Sequence, residues 1–164
     1  MKTDMKHLIT ATALTLLAMG SGHVLAQSMA APLKATPASA YPVVPAPGLY
    51  QAFGEQAGIR ALMDDFVIRL KADARIGEQF KDTQLDNLAK QLTDQVCQLA
   101  GGPCVYKGPD MKEAHAEMDV TRSHFNALVE VLQLSMDARG IPFTRQNQLL
   151  ALLAPMHRDV VNTR

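Results

Sequence analysis

Between Ile59 and Val160 the apolar residues recur at steps of three and four, and no segment alternates them two by two with strand formers. That period admits amphipathic helices and leaves no half-buried strand. Ile59, Leu62, Met63, Phe66, Val67 and Leu70 share one helical face, and Leu85, Leu88, Leu92, Val96 and Leu99 share a second. Phe125, Leu128, Leu132 and Met136 make a third. A last helix starts near Thr144 and carries Leu149, Leu152, Leu153, Met156 and Val160, with Pro155 expected to kink it. The spacing predicts an all-α domain of four main helices and short extras, without internal repeats. Plentiful Leu, Ala and Met agree with it.

Turn signals divide these helices. Gly101 and Gly102 stop the second one, and Gly140-Ile141-Pro142 stops the third. The segment "GGPCVYKGPDMKEAH", residues 101–115, spends many turn formers and ends on a histidine. Within it Asp110 can cap a helix of about two turns, with Glu113 three residues on as in a capping box. Thr121 can cap the helix that follows.

Ahead of the helices, "MKTDMKH" is a basic-leaning leader, "LITATALTLLAMGSG" an apolar run, and "VLAQ" a small-residue site for cleavage after Ala26. This three-part pattern predicts a signal peptide over residues 1–26 and a bacterial periplasmic or secreted protein. The run is short and interrupted for a bilayer span, so no stable membrane insertion is expected after cleavage. No cysteine follows the site to carry a lipid anchor. Residues 27–48, rich in Ala, Pro and Ser, read as an extended linker. The folded domain is then 49–164, enough for one core.

Several chemistries are excluded. Acidic and basic residues balance, so no broad basic footprint for nucleic acid exists. His115, His124 and His157 follow the leader without the paired spacing of a zinc helix. Neither Cys-x-x-Cys nor Cys-x-x-Cys-His occurs, which argues against zinc and covalent c-type haem. No nucleophile elbow or Gly-rich phosphate loop is present. Asp64 and Asp65 are adjacent on a helix, point apart, and read as solvated surface. Cys97 and Cys104 span the glycine turn; an exported chain can oxidise them, and the sequence leaves a disulfide and free thiols equally open.

His115 is the candidate ligand. A single histidine on an amphipathic helix is more often structural, but this one sits on a very short helix tethered by rigid turns. The preceding helix offers a wide apolar stripe with little aromatic bulk to fill it, and a planar apolar cofactor would complete such a core. Haem iron takes a neutral imidazole as proximal ligand.

The segments "LYQAFGEQAGIRALMDDF", "ADARIGEQF", "LTDQVCQLAGGPCVYKGPDMKEAH" and "FNALVEVL" together resemble the first group of truncated haemoglobins, over about residues 49–161. The ordered Gly-Gly-Pro turn, Tyr-x-Gly and Met-x-x-x-His carry the specificity. The resemblance implies an abbreviated globin fold, two pairs of antiparallel helices sandwiching a non-covalent haem b. It makes His115 the proximal ligand and Phe80 the phenylalanine on the haem face. Leu88, Leu92 and Val67 fall at distal-pocket positions, and Met111 and Phe125 at proximal packing positions. Val96 and Leu128, on the same stripes, join the candidate haem contacts. Tyr106 and Lys107 lie where the family's loop meets the haem edge; Lys107 reads equally as a propionate contact or a solvated charge. Many members place Tyr at the position of Val67 and Gln at those of Leu88 and Leu92. The aliphatic residues here argue against tight oxygen binding and nitric oxide dioxygenation of the family's kind. Gln91 and Gln95 are the remaining polar candidates, Gln95 as a substitute donor or as a partner for neighbouring backbone or the cysteine loop. The implied function is binding, sensing or redox turnover of a diatomic gas, turnover requiring an electron-donor protein. The competing expectation is a haem-free helical interaction module of globin fold.

Overall fold

The structure, a computed structural model, describes residues 44–163. The expected signal peptide lies outside the described residues, as does the expected linker apart from residues 44–48. The helices are α1 (Leu49–Ala52), α2 (Glu55–Ala72), α3 (Leu85–Leu99), α4 (Met111–Ala114), α5 (Arg122–Ala138), α6 (Phe143–Leu153) and α7 (His157–Val160). Two 3-10 turns, Gly77–Phe80 and Ala154–Met156, complete the regular structure, and no strand occurs among the described residues.

α2 is the spine. The six positions of its apolar stripe, Ile59, Leu62, Met63, Phe66, Val67 and Leu70, are all buried, and it packs on α3 and on α5. The corner into it is tight: a Cβ on Gly58 would lie 2.1 Å from the Phe53 carbonyl oxygen, so only glycine fits. Arg75 braces the far end of α2, pairing with Asp73 beside it and with Glu130 on α5. Hydrogen bonds from the Arg75 side chain and backbone hold the Asp73 carboxyl down to about 2.

Both caps form, but at Asp110 only the side chain to N–H half of the expected capping box is made, and the helix behind it, Met111–Ala114, is one turn rather than two. The Asp110 side chain accepts the Glu113 N–H at 2.7 Å. Thr121 accepts the His124 N–H at 3.1 Å, and His124 in turn accepts the Thr121 N–H, closing a capping box. Pro155 does more than kink the last helix. Lacking an N–H to donate, it falls in the 3-10 turn Ala154–Met156, which divides α6 from α7.

Cys97 and Cys104 form a disulfide with their Cα atoms 5.7 Å apart. The turn between them makes this reach possible. Gly101 adopts φ 85°, and the Gly102 N–H donates to the Cys97 carbonyl at 2.8 Å. A Cβ on Gly102 would sit 2.6 Å from the Tyr50 ring and 2.7 Å from the Cys97 sulfur, so the backbone passes where no side chain fits. The irregular segment leading to α4 is thereby anchored to the end of α3. The Tyr106 N–H adds a second anchor, donating to Gln98 Oε1 at 2.6 Å.

Candidate functional site

Helix α3 turns two different faces to the molecule. Ala89, Thr93 and Cys97 are buried, yet Leu88 and Leu92 on the neighbouring face are only half-buried. Apolar side chains left accessible side by side mark a groove or interface more often than scattered ones do. Here they front a cavity of about 720 Å³, within the range of small-molecule sites. Phe80, Leu128 and Phe125, also half-buried, line it from other elements.

The α3 wall consists of Leu88, Gln91, Leu92, Gln95 and Val96. Opposite, the loop and α4 bring Tyr106, Met111 and His115, and α5 brings Phe125 and Leu128. Two expected residues lie off the wall. Val67 is buried, and α2 instead presents Met63, Phe66 and Leu70, because the face that meets the cavity is rotated from Val67. Lys107 is exposed and is not among the lining residues, which fits the solvated-charge alternative. Its neighbour Tyr106 donates its hydroxyl to the Pro109 carbonyl at 2.9 Å. Burial first, and the Asp110 charge second, push that phenol above its ordinary value.

His115 follows α4 as its C-terminal cap residue. Its Nδ1 lies 2.7 Å from the Met111 carbonyl oxygen. A carbonyl only accepts, so Nδ1 carries the proton and the neutral ring keeps its lone pair on Nε2. That is the arrangement of a histidine ligand whose second nitrogen is oriented by backbone. A further contact, which the sequence pattern did not suggest, holds the same segment. Asn162, past the last helix, donates its side-chain amide to the His115 carbonyl at 2.6 Å and to that of Ala116 at 3.3 Å. The backbone N–H groups of Asn162 and Thr163 both donate to the Val120 carbonyl. The C-terminal tail therefore clamps residues 115–120.

Gln95 does not reach a neighbouring backbone or the disulfide loop. It is 8 % exposed, and its amide nitrogen faces Met111 Sδ at 3.4 Å and Met156 Sδ at 3.9 Å. Sulfur is a weak acceptor, so this amide is poorly compensated for its burial. Nothing else ionic supports a bound metal: no group of three or more His, Cys, Asp or Glu side chains that could hold one occurs among the described residues. One imidazole with an unengaged lone pair, His115, over a largely apolar cavity suits a metal that brings its other ligands with it. Sequence reasoning also missed His124, which lines the cavity from the first turn of α5. Its place in a capping box was the only signal available.

The family model of bacterial-like globins matches residues 48–162. A group 1 truncated hemoglobin of Tetrahymena thermophila is 37% identical over 95 residues, covering 58% of this chain and 78% of that protein. One of Tetrahymena pyriformis is 31% identical over 113 residues, covering 69% of this chain and 93% of its own. The crystal structure of truncated hemoglobin from Tetrahymena pyriformis in the Fe(III) form superposes with a TM-score of 0.67 at 30% identity, over 70% of this chain and 98% of that one.

Proposed function

The chain belongs to the bacterial-like globin family, and from that premise we propose that it binds haem b non-covalently and presents the iron to a diatomic gas. Its described residues adopt the all-helical two-over-two globin fold. The observation that carries the proposal is the His115 imidazole, on the cavity wall with Nδ1 donating to the Met111 carbonyl at 2.7 Å. When bound, haem would supply an iron able to take such a nitrogen and a diatomic gas as ligands. The remaining work falls to this chain's residues. His115 offers its Nε2 lone pair, held in place by Met111 and the Asn162 clamp. Leu88, Leu92, Phe80 and Leu128 give the macrocycle apolar surface and keep water out.

The fit extends to the cavity's shape in energy terms. Half-buried Leu88 and Leu92 gain burial when a planar apolar group enters. Neither can donate a hydrogen bond to a polar gas ligand, and Gln95 directs its amide to methionine sulfur instead. The aliphatic pair thus weakens oxygen relative to carbon monoxide and leaves Gln91 as the amide of that wall able to donate. The protein serves reversible binding or sensing of the gas; redox turnover would draw on an electron-donor protein.

Purified protein should show a Soret band, and its reduced spectrum should shift on adding carbon monoxide. A colourless, folded sample indifferent to added haem would overturn this reading in favour of a haem-free helical module.

Export to the periplasm, with cleavage after Ala26, is the second part of the proposal. The three-part leader supports it, and so does the Cys97–Cys104 disulfide, since disulfides persist in oxidising compartments. Mass analysis of protein from a periplasmic extract should find a chain beginning at Gln27. Full-length chain recovered from the cytoplasm would refute it.

A further inference from the structure

Two histidines line the same cavity, and their hydrogen bonds give them opposite tautomers. His115 Nδ1 faces a carbonyl, so it must donate. His124 Nδ1 faces the backbone N–H of Thr121 at 3.4 Å, so it must accept. An amide N–H offers no lone pair, and the proton of the neutral His124 ring therefore sits on Nε2. One imidazole presents a lone pair suited to a metal. The other presents an N–H suited to an acceptor, with no protein partner for that nitrogen among the described residues.

The cavity makes such a donor consequential. Among the described residues no Lys or Arg lines it, and the single lining carboxylate, Glu130, is ion-paired with Arg75. Haem carries two carboxylates that must meet something at the edge of an otherwise apolar site. His124 is half-buried, so it sits between the apolar interior and water. Its ring is also fixed. The capping box with Thr121 ties its backbone and its Nδ1 together, so little freedom is lost when Nε2 bonds.

We propose that His124 is a binding residue for a cofactor carboxylate, its Nε2–H donating to one haem propionate. This rests on the haem reading above. It assigns the capping residue of α5 a second task and explains how a site without a lining cation holds an acid.

The test measures haem release into an excess of a high-affinity haem scavenger. It compares the parent, His124→Phe and Thr121→Ala, each loaded with protohaem and with its dimethyl ester. His124→Phe keeps a planar ring and the Thr121 hydroxyl cap but has no side-chain donor. With protohaem, His124→Phe should release about tenfold faster than the parent, the low end for a hydrogen bond to a charged group. With the dimethyl ester, the two should release alike. Thr121→Ala loses the hydroxyl cap but keeps the imidazole and the backbone N–H that holds its Nδ1, and should release protohaem at the parent rate. Equal protohaem release by parent and His124→Phe overturns the proposal. So does a difference that persists with the ester, or one that Thr121→Ala reproduces. A parent that takes up neither haem overturns the haem reading itself, and this inference with it.

Discussion

The two walls of the cavity are built on different principles. The α3 wall is one regular helix whose side chains follow from the step of three and four; Leu88, Leu92 and Val96 recur on it as the period requires. The opposite wall, around His115, is nearly all irregular. It depends on a disulfide, a side-chain cap, a backbone carbonyl and a tail that returns from the C-terminus. The first wall supplies mostly apolar area, and its one hydrogen-bonded amide, Gln95, is spent on methionine sulfur. The second supplies the oriented imidazole of His115. A helix places residues cheaply but only along its stripe, whereas aiming an imidazole takes converging constraints from segments distant in sequence.

Breaking the directed wall should have the largest consequence. His115→Ala removes the one imidazole on the cavity wall whose lone pair is not engaged by backbone and should abolish stable haem binding. A haem titration followed at the Soret band checks this; unchanged stoichiometry and an unchanged ferrous spectrum would refute the assignment. His157→Ala, which removes a ring stacked edge-on against Phe125 and absent from the cavity wall, should leave the spectrum intact.

Next comes the anchor of that wall. Replacing Cys97 and Cys104 by Ser reopens the loop they close. Chain entropy assigns such a small loop about 2 kcal/mol, which for a domain of this size is a fall in Tm of about 8 °C. Thermal melts of oxidised and reduced parent should differ by the same amount. Identical melts would show that the Tyr106–Gln98 bond and the Asp110 cap hold the segment unaided.

The apolar wall can be sharpened in the other sense. Leu88→Gln introduces a donor on the half-buried face and should slow oxygen release by about tenfold, the effect of one hydrogen bond to a polarised acceptor. Stopped-flow oxygen dissociation measures it, and an unchanged rate would mean the position does not face the gas.

Gln95→Leu should do least. The amide it removes meets only sulfur, and replacing a poorly bonded buried polar group by an apolar one is near neutral or stabilising. Oxygen release should stay at the parent value and Tm should hold or rise. Faster release would make Gln95 the substitute donor after all.

Much of this architecture was legible in the chain. The six buried positions of α2, the caps at Asp110 and Thr121, and the stop at Gly101-Gly102 follow from local rules, because a helix's period and its unsatisfied ends are properties of neighbouring residues. Family likeness extended this to His115 and Phe80. Local rules could not say which flank of a stripe meets the cavity. On α2 the boundary passes between Phe66, which lines it, and Val67, which is buried elsewhere. That boundary depends on how helices are rotated against one another, and rotation is set by partners.

The sequence by itself determined the helices, their ends and the histidine at the close of the turn-rich segment, since each rests on contacts within a few residues. Only the tertiary structure decided the rest. It paired Cys97 with Cys104 across a turn that passes Tyr50, brought Asn162 back to the His115 carbonyl, and directed Gln95 to sulfur. It also brought two histidines to one cavity. Their opposite tautomers are local, each set by a backbone group three or four residues earlier; that they share a cavity depends on how their elements pack, and packing is set by partners distant in sequence.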